Sequence, residues 1–272
     1  MSDSLAELKS AIDRADSAPS LAAAVKALAN AKRVDAVPML VEALGYNNPG
    51  AAVAAVDGLV KLGEPAVAGL LELLDLNNYT ARSWAVRALA GIGDPRGLPT
   101  LLGAATADIS LSVRRAAARG LGTMKWHWFP HHLLDTAHAE ALDALLGVTQ
   151  ADEEWVVRYA AVVGLEGLGL TLSAAQSQAR QQILDQLTSR GEQDDSSAVR
   201  ARSRVAQENL NTHPPAQRQP VLEPQDKRYA PSEMEWEQIL ENLYQRKGNE
   251  RRMLPEGDPA RYRRLLETNG TQ

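Results

Sequence analysis

Cysteine is absent from all 272 residues. The chain therefore forms no disulfide, offers no thiolate to zinc, supplies no thiol nucleophile and cannot itself carry a thioether-linked cofactor. Aromatic residues are scarce at 4%, with one phenylalanine, Phe129. The core must be built from alanine, leucine and valine, which suits close helix packing. Positive charge is not in excess: a net charge of -5 and a pI near 5.6 give no basic field for a phosphate backbone, which argues against nucleic-acid binding. No run approaches the length of a membrane span, and Met1 to Leu8 carries acids where a signal peptide has a basic and then an apolar segment. A cytosolic protein with no membrane partner is expected.

What the sequence does contain is itself, repeated. Asn77 to Leu102, NNYTARSWAVRALAGIGDPRGLPTLL, superimposes on Asn47 to Leu71, NNPGAAVAAVDGLVKLGEPAVAGLL, with Leu59 on Leu89, Gly63 on Gly93 and Pro65 on Pro95, a period of 30. Leu28, Leu121 and Leu165 continue the series, as do Arg82, Arg114, Arg158 and Arg200. Each unit reads as an apolar helix of about ten residues, a Gly-Asp-Pro or Gly-Glu-Pro turn and a second apolar helix. Gly93 suits a left-handed helix end, Asp94 a cap and Pro95 the first helical position. One hairpin cannot bury its apolar face, so an all-α, HEAT-like solenoid is predicted, with about five helix pairs between residues 17 and 190 and a half unit from Asp194 to Asn211. The Ala-rich first unit, SLAAAVKALANAK, is weakly polar for a terminal repeat, and an exposed apolar flank is expected there.

The recurrent arginines at the start of each first helix read as scaffold, reaching carboxylates or carbonyls of the inter-unit turns. In the usual repeat geometry the other positions of that helix face the concave side. They are Asp57; Tyr79, Ser83, Trp84 and Arg87; Leu111, Arg115 and Arg119; and Trp155 and Tyr159. Two of five Trp and two of six Tyr thus fall on one face, interleaved with arginine. As a group they suggest a binding surface, although Trp84 equally suits a gap between Ala-rich helices.

The spacing breaks at TMKWHWFPHHLLDTAH, which holds Trp126, His127, Trp128, His131, His132 and His138. Insertions of this kind map to one face of a solenoid. His131 and His132 point apart on a helix and no acidic partner lies at ligand spacing, so no metal site is assigned. His127, between two tryptophans, is the candidate for proton transfer; its plainer reading is a solvated loop histidine.

The phrases LGYNNPGAAVAAVDGLVKLGE, NNYTARSWAVRALAGIGDPRGLPTLL, LSVRRAAARGLG and EEWVVRYAAVVGLEGL resemble the repeats of the phycobilisome lyase family, most closely the F subunit of the heterodimeric E/F bilin lyase. The resemblance runs over roughly residues 1 to 211. It implies a lyase subunit that, with an E-type partner, attaches phycocyanobilin to a cysteine of the phycocyanin α subunit, with the bilin as substrate and no resident cofactor. The alternative within the same repeat class is a non-catalytic phycobiliprotein-binding adaptor or chaperone. An open-chain tetrapyrrole is flat and bears two propionates. Tyr79, Trp84, Trp126, Trp155 and Tyr159 would stack on it, Arg87, Arg115 and Arg119 would pair its carboxylates, and Asp57 would favour a protonated pyrrole system. The absence of cysteine sets the chain apart from an isomerising relative whose pattern includes one beside histidine.

Beyond the repeats, residues 212–231 are rich in proline and glutamine, a linker by composition. Residues 232–272 are read as a helical extension. Its first helix opens with a capping box, Ser232 with Glu235, and carries Trp236, Ile239, Leu240 and Leu243 on one face. A second short helix is predicted after Asp258.

Overall fold

The computed structural model describes residues 4–74, 78–213, 215 and 227–253. Every regular element among them is helical, and the chain divides into two compact units, Met1–Pro231 and Ser232–Gln272. The first contains α1 (Leu5–Asp13), α2 (Ala18–Asn30), α3 (Val37–Ala43), α4 (Pro49–Leu62), α5 (Val67–Leu74) and α6 (Tyr79–Ile92). It continues with α7 (Leu98–Ala107), α8 (Leu111–Gly122), α9 (His131–Ala151), α10 (Trp155–Thr171), α11 (Ser177–Gln193) and α12 (Ser197–Thr212). The second contains α13 (Glu233–Met253), whose capping box is formed by Ser232 and Glu235. Most of the proposed linker and the segment after Asp258 lie outside the described residues.

From α2 onward the even-numbered helices stack each on the next, and each odd-numbered helix lies against the even helix that follows it. The result is five helix pairs, α2/α3 to α10/α11, closed by α12. The repeating leucines Leu28, Leu59, Leu89, Leu121 and Leu165 are all buried, each worth about 1.5–3 kcal/mol of transfer free energy. One element was not foreseen: α1, capped by Ser4 and Glu7, packs on α2 and buries Leu8 against the Ala-rich end.

Glycine and alanine let the even helices touch backbone to backbone. A Cβ on Gly58 would lie 2.6 Å from the Ala29 Cβ, one on Gly120 2.6 Å from that of Ala90, and one on Gly122 2.5 Å from the Gly164 carbonyl oxygen. The even helices form one closely packed layer, and its outward face is the one that the sequence leads one to expect on the concave side.

The turns follow the sequence. Gly93 is left-handed (φ 70°, ψ 21°), Asp94 accepts from the Arg96 N–H, and Pro95 opens a 3-10 turn that leads into α7. Arg96 is held by both Asp94 oxygens at 2.9 Å and also donates to the Tyr229 carbonyl at 2.9 Å, which ties residues 227–229 back to this turn.

The arginine ladder is scaffold. Arg114 grips Asp152 of the next turn through Nε (2.7 Å) and Nη2 (3.1 Å), and donates from Nη1 to the Asp108 and Ile109 carbonyls of its own turn. Arg158 repeats the pattern on Asp194 (2.8 and 3.0 Å) and on the Asp152 and Glu153 carbonyls. Arg82 departs from it: its side chain is exposed and reaches the Leu74 carbonyl at 3.4 Å. The Arg114 and Arg158 forks, not Arg82, are the strong ones.

Burial pushes the Asp194 carboxyl up, but the Arg158 fork and the Ser196 N–H outweigh it and hold the group below the ordinary carboxylate range. A folded-state pKa depressed in this way stabilises the fold above the unfolded pKa, and the contribution disappears on acidification through the folded value. Arg158→Ala strands Asp194 in a buried site and is expected to cost about 3–5 kcal/mol in urea unfolding at neutral pH. Arg114→Ala, at a more exposed fork, is expected to cost less. The wild-type advantage over Arg158→Ala should shrink as the pH falls below about 4; a difference independent of pH would contradict the ion-pair account.

Candidate functional site

The concave face is generated by one register, repeated along the even helices. Counted from the ladder arginine, the first, second and fifth following positions point outward. On α4 they include Val53 and Asp57, on α6 Ser83, Trp84 and Arg87, on α8 Arg115 and Arg119, and on α10 Tyr159. Leu111 and Trp155 stand at the first positions of α8 and α10. Asp57, Leu111, Arg115, Arg119, Trp155 and Tyr159 are exposed, while Ser83, Trp84 and Arg87 are half-buried. Tyr79 opens α6, and its side chain lies outside the described residues.

Arg87 is the centre of the middle of this face. Its guanidinium carbon sits 4.5 Å from the centroid of the Trp84 ring, a cation–π arrangement one helical turn long. Burial and then the like charge of Arg115 lower its pKa, with Asp57 acting in the opposite direction. It remains a cation, as any arginine does. The structure thus brings Asp57, Trp84, Arg87 and Arg115 together across α4, α6 and α8. Toward the first repeat, a groove of 310 Å³ between α2 and α4, lined by Ala22, Ala23, Lys26, Val53, Asp57 and Lys61 among others, extends the surface.

A second cluster lies further along. Arg202 on α12 is half-buried and ion-paired with Glu166 of α10, whose other oxygen accepts from Asn209 at 2.6 Å. Burial lowers the Arg202 pKa, Tyr159 opposes this and Arg119 adds to it, so these groups lie in one electrostatic neighbourhood. The sequence reading missed Arg202. The signal was available: applied to the half unit, the register that selects Trp84 after Arg82 selects Arg202 after Arg200, and the one that selects Arg87 selects Val205, which is exposed.

A family description for HEAT repeats matches residues 67–166. Phycocyanobilin lyase subunit beta of Pseudanabaena tenuis is 51% identical over 99% of this chain and 100% of its own length. This chain belongs to the phycocyanobilin lyase beta-subunit family. The phycocyanin alpha phycocyanobilin lyase CpcF of Synechocystis sp. is 49% identical, covering 74% of this chain and 91% of that one. Among solved structures, the complex of CpcE and CpcF of phycocyanin lyase from Nostoc sp. matches with a TM-score of 0.57 and 46% identity, over 64% of this chain and 99% of that chain. The extension beyond the repeats is therefore shared with the full-length Pseudanabaena relative. No helix among the described residues is long and apolar enough to cross a membrane.

The tryptophan-histidine insertion divides between core and edge. Trp126, expected among the bilin-contacting residues, is instead 3% exposed, stacked on Phe129 at 5.3 Å and edge-on to His138 at 4.7 Å. In an Ala-rich protein the large rings are what fill the extra volume that a longer connection encloses. His127 is exposed, edge-on to Trp128, and held below its ordinary pKa by partial desolvation and by Lys125. Lys125 lies 4.3 Å over the Trp128 ring, pairs with Glu64, and donates its backbone N–H to the Gly93 carbonyl. His127 therefore belongs to the turn edge with Lys125, and the arginines of the concave face do not figure among the charges acting on it.

His131 and His132 are exposed, whereas His138 is buried at 3% exposure and hydrogen-bonded to Gln176 at 2.9 Å. Burial pushes its pKa down to about 4, against the opposing pull of Asp135 and the Gln176 bond. The unfolded chain binds a proton near the ordinary histidine value of 6.5 and the folded chain does not until about 4. Stability should then fall as pH drops between these values, by on the order of 3 kcal/mol. Chemical denaturation of wild type and His138→Leu from pH 7 to 4.5 checks this: the variant should show the flatter profile. An equal slope in both would remove His138 from the account.

Proposed function

We propose that this chain is the second subunit of a heterodimeric bilin lyase, which with an E-type partner joins phycocyanobilin to a cysteine of the phycocyanin α subunit. The full-length likeness to a phycocyanobilin lyase beta subunit carries this reading, and the chemistry of the concave face agrees with it. The reaction is an addition without net oxidation. The acceptor thiol sulfur bonds to the ethylidene side chain of the bilin A ring, the carbon–carbon double bond is consumed, and the thiol proton ends on the chromophore.

In this reading the chain positions a flat, dianionic substrate. Trp84, with Trp155 and Tyr159 on α10, offers aromatic faces; Arg87 and Arg115 pair with a propionate; Asp57 faces the pyrrole nitrogens as a counter-charge. Holding the A ring where the thiol arrives converts a bimolecular encounter into a positioned one. His127 has no part in it. The acceptor cysteine comes from the phycocyanin subunit, consistent with a chain that has none of its own.

Co-expression with an E-type partner, apo-phycocyanin α subunit and a phycocyanobilin source, followed by denaturing electrophoresis with zinc-enhanced fluorescence, tests the function. A fluorescent α subunit that requires this chain is the expected result; chromophore-independent binding of the α subunit without transfer would favour an adaptor. Within that assay Trp84→Ala and Arg115→Ala should each lower transfer roughly tenfold or more. Arg115→Ala should leave the melting temperature nearly unchanged, since exposed substitutions move stability by about 0.5 kcal/mol or less. Normal transfer by both variants would place the site elsewhere.

A further inference from the structure

The register that carries Trp84 and Arg87 on α6 is filled differently on the first two helices of the even layer. The period of 30 puts Val53, Ala54 and Asp57 of α4 in the places of Ser83, Trp84 and Arg87, and the equivalence of Leu28 and Leu59 puts Ala22, Ala23 and Lys26 of α2 there as well. Small side chains at these outward positions leave the groove of 310 Å³ between the two helices. Along α2 it runs from Ala22 to Asn30, about 12 Å at the helical rise. The helices lie parallel and close beneath it: a Cβ on Gly50 would stand 3.2 Å from that of Ala22 at one end, and a Cβ on Gly58 2.6 Å from that of Ala29 at the other. The groove therefore has a floor and does not pass through the layer.

Its two halves differ in chemistry. Toward the N-terminal ends of the helices the walls are Ala22, Ala23, Val53 and Ala54, and toward the C-terminal ends they are Lys26, Asn30, Asp57 and Lys61, all four exposed. An apolar slot that ends in donors and one carboxylate suits a flat ring with alkyl groups on one edge and a lactam on the other. Lysine or asparagine donates to the lactam carbonyl, and Asp57 accepts from the ring N–H. A simple anion is a poorer match, because Asp57 repels it.

We propose that the groove between α2 and α4 is the subsite for one terminal ring of the open-chain tetrapyrrole, the lactam ring remote from the ethylidene group. This rests on the proposed lyase function. The propionates sit on the two central rings, so a bilin held there by Arg87 on α6 extends about two rings to either side. The groove begins one helix away, at the close spacing of about 8–10 Å between packed axes, and Asp57, which lines it, stands on the stacked neighbour of α6 in the same register as Arg87. A ring sunk between two helices is shielded from a protein thiol. The ring in the groove is thus the one that does not react, and the A ring is left toward α8 and α10, where the acceptor cysteine can arrive. Val53 and Ala23, at the mouth of the groove, then set how large a substituent the remote ring can carry.

The test is an absorbance titration of the assembled heterodimer with phycocyanobilin and with an analogue that carries a propyl group in place of the ethyl group on the remote ring. Ala23→Leu and Val53→Phe, both at exposed positions, fill the groove and should weaken phycocyanobilin roughly tenfold or more. Val53→Ala enlarges it and should shift the preference toward the propyl analogue relative to wild type, a gain that a folding defect does not produce. Unchanged affinity in both filled variants, or an unshifted preference in Val53→Ala, would overturn the subsite while leaving the lyase reading intact. Filled variants that no longer assemble with the E-type partner on size-exclusion chromatography would overturn it in favour of subunit docking. A wild-type heterodimer that binds neither bilin would overturn both.

Discussion

The backbone contact between even-numbered helices is the constraint on which the rest depends. Where Gly122 meets Gly164 there is no room for a side-chain carbon, and Gly58 and Gly120 stand equally close to Ala29 and Ala90. This spacing brings side chains from successive even helices within electrostatic range. Arg87 can act on Arg115 because α6 and α8, which carry them, are separated by little more than backbone where Gly120 meets Ala90. A bulkier interface would spread the same residues into separate patches.

Two sets of arginines share these helices and are distinguished only by register. Arg114 and Arg158 point along the stack, and each joins one turn to the next through a bidentate carboxylate contact and two carbonyls. Their charge is consumed. The residues one, two and five positions further on point outward, and there Arg115 and Arg119 stand exposed while Arg202 is paired with Glu166. A single helical repeat thereby separates the cohesive arginines from those of the proposed binding face within the same few residues.

The helix pairs and turns were legible because a repeat amplifies weak signals: five equivalent leucines and a Gly-Asp-Pro turn matched by a Gly-Glu-Pro turn fix the register more firmly than any one helix could. Legibility failed where the repeat stopped. Trp126 was placed with the surface aromatics because composition flagged it, yet its place in the core follows from the volume enclosed by an irregular connection, which no period encodes. Arg202 was missed because α12 is a half unit at the end of the repeats, to which the register was not extended. Arg82 and Arg200 keep the carbonyl contacts of the ladder, while among the described residues the carboxylate fork belongs to Arg114 and Arg158. The roles of Glu166 and Asn209, 43 residues apart, depend on two helices meeting and carry no local signature.

In a linear array each repeat touches its neighbours alone, so such proteins can come apart one unit at a time from either end. The insertion after α8 breaks that rule. Lys125 takes hold of the Gly93 turn one unit back through its backbone, and of Glu64 two units back through its ammonium. Gly93 accepts the approach because the Thr123 carbonyl oxygen would lie 2.8 Å from any Cβ placed there. Three consecutive repeats are stitched at one edge, and they carry Asp57, Trp84, Arg87, Arg115 and Arg119 between them. The middle of the solenoid is thereby bound into a single mechanical block, and fraying at the terminal repeats can proceed without opening the surface that the block displays.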